Sequence, residues 1–423
     1  MVESEKKHEL IIVSNRLPLC LKKVDGSYQS TLSSGGLVTA LSGISNSVNV
    51  CWFGWPGGNI KDPEERKITA DALTGNNAVG IFLDKKLMHD HYNEFSNGII
   101  WPMLYYQSSV NFNEDSWKSC QRVNGIFANI VANTVSSSNL VWVHNYYLLL
   151  FPAYLRDRLK KQRKECLVGF TLYISFPAED FWRALPVQKE LLTGILACNL
   201  VGFHIDKYKQ NFLECHRSYT GTFIVDIDLQ KFENILRIRM CRRGSASWSR
   251  NISIGVDRLD YTKGLVQKLH GCEYFLQQHP DLKGKVTLIQ IAIPSREDVK
   301  EYQDLEKELS TIVGKTNGEH STPDWAPILD IHHSVPFTDL TALYRIADIC
   351  LITSRCDGMN LVAAEYHTFN LSSAQQLSDS VYKAATMSRK EKEKLHVELE
   401  QFITINTSEQ WTETFTKALL KYV

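Results

Sequence analysis

The stretch "GVDRLDYTKGL" (Gly255–Leu265) decides the fold. Just before it, "NISI" is short, apolar and β-branched, which reads as a buried strand. Just after it, Leu265, Leu269, Cys272 and Leu276 recur at helical spacing. Two aspartates, an arginine and a lysine therefore sit where a strand hands over to a helix. In open α/β sheets, ligands bind outside the carboxyl ends of the strands. There Arg258 and Lys263 would be two fixed cations able to neutralise a diphosphate leaving group. The same residues also allow an ion-pair cluster with Asp257 and Asp260.

The pattern repeats outward from this stretch. "NISIGV", "KVTLIQIAI", "ILDIHHSV" and "ICLITS" read as strands, with "VKEYQDLEKELSTIVG", "FTDLTALYRIAD" and "GMNLVAAEY" as helices. Upstream, "ELIIVS", "VCWFGW", "LVWVH", "LVGFTLYIS" and "LVGFHI" alternate with the helical patterns "GGLVTALSGIS", "YLLLFPAYLRDRLKK", "VQKELLTGILAC" and "YKQNFLECHRSY". Apolar strands alternating with helices imply parallel sheets covered on both faces. Two such series predict two doubly wound domains, with the break in residues 221–250. The arginine-rich run "RIRMCRRGSASWSR" (Arg237–Arg250) reads there as a solvated linker.

Composition narrows the class. The 423 residues are 43% hydrophobic and 22% charged, an ordinary globular mix. Lys plus Arg and Asp plus Glu both number 47, so the formal net charge is zero and any anion site must be local. This excludes a chain-wide polyanion-binding role, so no nucleic-acid partner is expected. The longest apolar run, "LVWVHNYYLLLFPAYL", is interrupted by His144, Asn145 and Pro152 and is too short to span a bilayer. Ten cysteines without a CxxC pair suit reduced thiols, and a cytoplasmic location is expected.

Further anion devices stand at strand ends. "SNR" (Ser14–Arg16) follows the first strand and "SSGG" (Ser33–Gly36) precedes a helix. "GMN" (Gly358–Asn360) repeats that device after "ICLITS", with Asp357 before it and Glu365 one to two turns into the helix. Helix N-termini opened by glycine accept phosphate, and a carboxylate beyond can hold ribose hydroxyls. Arg296 follows the strand "KVTLIQIAI". Other chemistries fit poorly. "GKT" (Gly314–Thr316) has Leu309 where a phosphate loop needs glycine, and it ends a helix instead of opening one. GxSxG and HExxH are absent. The pairs His89/His91 and His332/His333 lack a matching ligand set and read as surface or packing histidines.

Taken together, the chain resembles the trehalose-6-phosphate synthases. The motifs that carry the resemblance are "SNRLPL", "SSGGLVTAL", "WFGWPG", "YNEFSNGIIWP", "LPVQKELLTGILACNLVGFH", "GVDRLDYTKGL", "IAIPSREDVKEYQ" and "DGMNLVAAEY". The resemblance implies an α/β GT-B glycosyltransferase fold, two facing Rossmann-like doubly wound domains with a central cleft. It implies an acceptor domain over 1–222, a donor domain over 223–405, and a C-terminal helix over 406–423 packing back on the first. The implied reaction is retaining glucosyl transfer from UDP-glucose to glucose 6-phosphate, giving trehalose 6-phosphate and UDP. The acceptor would be held by Arg16, Trp55, Tyr92, Trp101, Asn145 and Arg296. The donor would be held by Gly36, Arg258, Lys263, Asp357, Gly358, Met359, Asn360, Leu361 and Glu365. Arg258, Lys263 and Asp357 would be the catalytic groups, together with Tyr173 at the position of the family's histidine. No cofactor is implied beyond UDP-glucose as co-substrate, and no metal, since the two cations do what a divalent ion does elsewhere. Trehalose-6-phosphate phosphatase and other subunits of a trehalose-synthesising complex are the partners implied, and a homo-oligomer is left open.

The chain departs from the family in places. "HNYYL" stands for HDYHL, so the acceptor-site aspartate is Asn145. "YISFPA" stands for HxPFPS, so the catalytic-site histidine is Tyr173. Following the strand "LVGFTLYIS", Tyr173 is expected to point into the cleft and crowd the donor sugar, so that Tyr173→His raises activity. Cys356 replaces the arginine before "DGMN". Two stretches look missing, one before the second domain and one after Tyr366, where "HTFNLSSAQQL" runs straight into the next helix. With these losses, a catalytically impaired paralogue or regulatory subunit is the alternative reading.

Overall fold

The computed structural model describes residues 9–24, 27–32, 49–106, 111–220, 251–295, 300–354, 362, 369–370, 382, 386–388, 391 and 408–422. It divides into two compact units, Met1–Asn234 with Thr407–Val423, and Ile235–Asn406.

The first unit is built on a six-stranded sheet. Its strands are β1 (Leu10–Arg16), β4 (Val50–Trp55), β5 (Ala78–Gly80), β6 (Leu140–His144), β7 (Leu167–Leu172) and β8 (Leu200–Phe203). They lie in the order β5-β4-β1-β6-β7-β8, every pair parallel. A hairpin of β2 (Leu19–Val24) and β3 (Ser27–Leu32) stands apart from it. Strand β6 is buried at all five residues, which is why it reads as an unbroken apolar run and not as an alternating one.

Helices α1 (Pro63–Thr74), α2 (Glu114–Thr134), α3 (Phe151–Gln162) and α4 (Gln188–Leu196) supply the crossovers, and α5 (Asp206–Thr220) follows the last strand. Local chemistry sets their starts. Asp62 caps α1 by accepting from Glu65 N, with Pro63 at the first helical position, and Asn113 caps α2 through Asp115 N and Ser116 N. The predicted helix over 147–161 starts later, at Phe151. Tyr146–Leu148 form a tight 3₁₀ turn first, because Asn145 accepts from Tyr146 N and closes it.

Helix α9 (Ser408–Leu420) belongs to this unit and not to the one that precedes it in sequence. Phe415 stacks on Trp142 with ring centroids 4.2 Å apart and planes 7° apart. Gly169 makes this approach possible, since a Cβ there would lie 2.7 Å from the Phe415 ring.

The second unit carries β9 (Asn251–Arg258), β10 (Val286–Ile293), β11 (Ile328–Ile331), β12 (Ile349–Ile352) and β13 (Phe369–Asn370) in the order β11-β10-β9-β12-β13, all parallel. Helices α6 (Leu265–Gln278), α7 (Lys300–His320) and α8 (Phe337–Ile346) cover it. One face buries Leu265, Leu269, Leu276, Leu288 and Leu309, the other Ile254, Val256, Ile291 and Ile352.

Two expectations are corrected here. Helix α7 does not stop near Gly314 but runs to His320. The Asn317 side chain donates to Ile328 O and accepts from Ile328 N, which fastens the last turns to β11. The stretch after Tyr366 is not without a strand, since Phe369 and Asn370 pair in parallel with Leu351 and Ile352. The expected domain break at 221–250 and the predicted helix over 35–45 lie outside the described residues. Among the described residues, no helix is long and apolar enough to cross a membrane.

Candidate functional site

Each sheet reverses strand order beside its first strand, and ligands bind at such a point in open α/β sheets. In the first unit the reversal lies between β1 and β6. Arg16 ends β1, and Asn145 follows β6 directly. Arg16 is exposed, with its guanidinium 5.4 Å from the centre of the Trp55 ring at the end of the neighbouring β4. Ser14 Oγ donates to Arg16 O, and Asn15 is buried with its Oδ1 3.1 Å from His91 Nε2. The "SNR" motif thus seats the arginine as well as supplying it.

Asn145 has φ 71° and ψ 170°, a region that residues other than glycine adopt at a cost of about 1–3 kcal/mol. Its N–H donates to Thr171 O at 2.9 Å and its Oδ1 accepts from Tyr146 N at 2.9 Å, so both neighbours hold it there. Strain of this kind concentrates at functional sites.

Beyond Asn145 runs an aromatic wall. Tyr92, on the π-helix Asp90–Ile100, stacks on Tyr147 at 5.3 Å, and Tyr147 lies 4.1 Å from Tyr146. Tyr146 Oη is 2.8 Å from Asn97 Oδ1 and donates to it. Tyr146, Tyr147, Asn15 and Asn97 were not singled out from the sequence. The signal for them was their place in "HNYYL", "SNR" and "YNEFSN".

Two expected site residues are placed differently. Trp101 is 4% exposed and packs behind Tyr146, 5.4 Å from its ring, so it supports the wall and does not line it. Tyr173 is 7% exposed and does not point into an opening. Its hydroxyl lies 2.5 Å from His144 Nδ1, and its ring packs near His204 and Trp411. The strand position was read correctly, but α9 covers that mouth and the aromatic cluster draws the phenol inward. Tyr173→Phe should therefore cost about 1–3 kcal/mol of stability, because the buried His144 Nδ1 loses its partner. Denaturant unfolding checks this, and an unchanged midpoint would contradict it.

Burial also governs titration. It lowers the pKa of His91 and of His144 from 6.5 to about 3, and it raises the Tyr173 phenol well above its usual value. Both histidines stay neutral in the fold. Below pH 6.5 the unfolded chain takes up their protons and the folded chain does not. Their contribution is thus complete above pH 6.5 and declines as the pH falls toward 3. The two together give a slope of roughly 2–3 kcal/mol per pH unit at its steepest. Chemical unfolding across that window measures it, and a flat profile would refute it.

In the second unit the order reverses between β9 and β12. Arg258 ends β9 and is exposed, and Lys263 sits in the 3₁₀ turn Tyr261–Lys263. Asp260 caps this turn, accepting from Thr262 N at 3.0 Å and Thr262 Oγ1 at 2.8 Å, and Tyr302 Oη donates to its other oxygen at 3.3 Å. From the end of β12, Thr353 Oγ1 donates to Lys263 O at 2.9 Å. Asp257 pairs with the buried Lys268. Asp260 thus caps the turn, and Asp257 forms a core ion pair with Lys268. Gly36, Arg296, Asp357, Gly358, Met359, Asn360, Leu361 and Glu365 lie outside the described residues. Among the described residues, no group of three or more His, Cys, Asp or Glu side chains is placed to hold a metal ion.

The family model for glycosyltransferase family 20 matches residues 8–239 and 220–374. The chain belongs to glycosyltransferase family 20. Within this family it is 37% identical to the alpha,alpha-trehalose-phosphate synthase (UDP-forming) of Botryotinia fuckeliana over 468 aligned positions, covering 99% of this chain and 90% of the relative. It is 38% identical to the 56 kDa subunit of the corresponding Saccharomyces cerevisiae enzyme, covering 97% and 94%. These alignments are longer than the 423-residue chain, so the relatives carry segments without a counterpart here. Among solved structures, an alpha,alpha-trehalose-phosphate synthase (UDP-forming) from Burkholderia vietnamiensis superposes with a TM-score of 0.83 at 26% identity, over 98% of each chain. The two Rossmann-like units are those of the GT-B architecture of family 20.

Proposed function

We propose that this protein transfers glucose from UDP-glucose to glucose 6-phosphate with retention, giving trehalose 6-phosphate and UDP. The observation that carries the reading is the turn after β9. It places Arg258 and Lys263 at the reversal point of the second unit, next to the end of β12. Two charge-assisted contacts at that place suit a diphosphate leaving group. In this reading Asp357, the backbone N–H groups of 358–361, Glu365 and Gly36 complete the donor site. Arg16 and Tyr92 take the acceptor phosphate with Arg296, while Trp55 and Asn145 face the sugar. Trp101 and Tyr173 act from behind their neighbours. Leaving-group charge is met by the two cations without a metal.

The relatives' names support a trehalose phosphate and UDP as products, and the yeast relative's name as a subunit supports work alongside partner subunits. The cytoplasmic location proposed here rests on the cysteine pattern of the sequence. Placing Tyr173 inside the fold changes one expectation. Tyr173→His opens no sugar pocket and should not raise the rate. UDP release measured with and without glucose 6-phosphate, together with trehalose 6-phosphate formation, tests the function. Release that ignores glucose 6-phosphate would remove the acceptor assignment. No release, with UDP still bound, would favour a regulatory subunit.

A further inference from the structure

Beneath the Arg258–Lys263 turn lies a buried polar triad that the reaction as described does not use. Lys268, in the first turns of α6, is 0% exposed. Its Nζ lies 2.5 Å from Asp257 Oδ2, and both side chains are buried. Gln290 of β10 donates from Nε2 to the same oxygen at 3.3 Å and to Ile291 O at 3.1 Å. Gly255 makes room for the group, since a Cβ there would stand 2.3 Å from Gln290 Oε1 and 2.6 Å from Lys268 Nζ.

The place of this pair in the chain is informative. Asp257 immediately precedes Arg258, and Lys268 lies one turn beyond Lys263. The ion pair therefore ties the two ends of the loop that carries both cations. Asp260 and Thr353 hold the middle of that loop through Thr262, Tyr302 and the Lys263 carbonyl. Stability gives a poor reason for such a pair, because apolar residues of similar size commonly serve as well or better. Directional bonds differ from apolar packing in fixing where a strand end sits relative to a helix.

We infer that Lys268, with Asp257 and Gln290, is a positioning group that sets Arg258 and Lys263 for the donor diphosphate. This rests on the donor site proposed above. Two variants separate positioning from mere support: Lys268→Met, and the double variant Asp257→Leu/Lys268→Met, which removes both charges and restores an apolar core. The readouts are the thermal midpoint, UDP affinity by calorimetry well below that midpoint, and separate KM values for UDP-glucose and glucose 6-phosphate.

Lys268→Met should lower the midpoint and weaken UDP binding by roughly tenfold or more. The double variant should recover the midpoint yet keep the weakened UDP affinity and the raised KM for UDP-glucose. The KM for glucose 6-phosphate should stay at the wild-type value in each folded variant. If Lys268→Met does not fold, the double variant alone carries the test. Wild-type UDP affinity in the double variant, or an equal loss for both substrates, would overturn the positioning role. Failure of the wild-type protein to bind UDP would instead remove the donor site itself, and this inference with it.

Discussion

Arg258→Ala and Lys263→Ala should each lower kcat/KM for UDP-glucose by about 10²–10³-fold, the effect of removing one preorganised charge-stabilising donor, or roughly 2.7–4 kcal/mol. The fold should survive both changes. Arg258 is exposed at the strand end, and Lys263 is half-buried in a turn that Asp260 and Thr353 hold through Thr262 and the Lys263 carbonyl. The effect should fall on the donor. UDP affinity by calorimetry should drop with kcat/KM, while circular dichroism and the unfolding midpoint stay close to wild type. Equal UDP binding by wild type and both variants would show that this turn is not the diphosphate site.

Gly264→Ala should damage stability and donor binding together. Gly264 links the Lys263 turn to α6 with φ +64°, where an L-residue costs about 1–2 kcal/mol. A Cβ there would lie 2.2 Å from the Thr353 carbonyl oxygen and 3.0 Å from its carbon. Both atoms are backbone at the end of β12, so no rotamer change relieves the clash, and overpacking adds about 1–3 kcal/mol. The total is about 2–5 kcal/mol, with β12 and the loop pushed apart. Chemical unfolding and UDP calorimetry on the same preparation measure it. A variant with wild-type midpoint and wild-type affinity would mean that the loop does not lie against β12 as described.

Some residues of the site announce themselves and others do not. Arg258, Lys263 and Arg16 were legible because a charge that breaks an apolar run at a strand end has few structural uses. Lys268 reads as a solvated helix residue by type, although it sits three residues after Leu265 and one before Leu269, inside the buried stripe. Its partner Asp257 comes from an adjacent strand, and nothing local pairs them. Tyr173 shows the converse. Its position after β7 was read correctly, but the direction of its side chain depends on Trp411, which arrives 238 residues later in the chain.

Periodicity and strand-end chemistry by themselves determined that this chain forms two parallel α/β units with cation-bearing strand ends, because burial on both faces of a parallel sheet demands continuous apolar runs that local sequence records directly. The tertiary structure alone decided which neighbours those ends acquire. The backbone of Asn145 is forced to φ 71° by bonds to β7 and to the next turn. Asp257 meets the buried Lys268, and Asp260 receives the hydroxyl of Tyr302. Tyr173 is turned inward by a helix that returns from the far end of the chain. The contacts of Asn145 with Thr171, of Asp260 with Tyr302 and of Tyr173 with Trp411 join segments distant in sequence. Their geometry follows from how crossovers and the terminal helix pack, and no pattern within a short window encodes it.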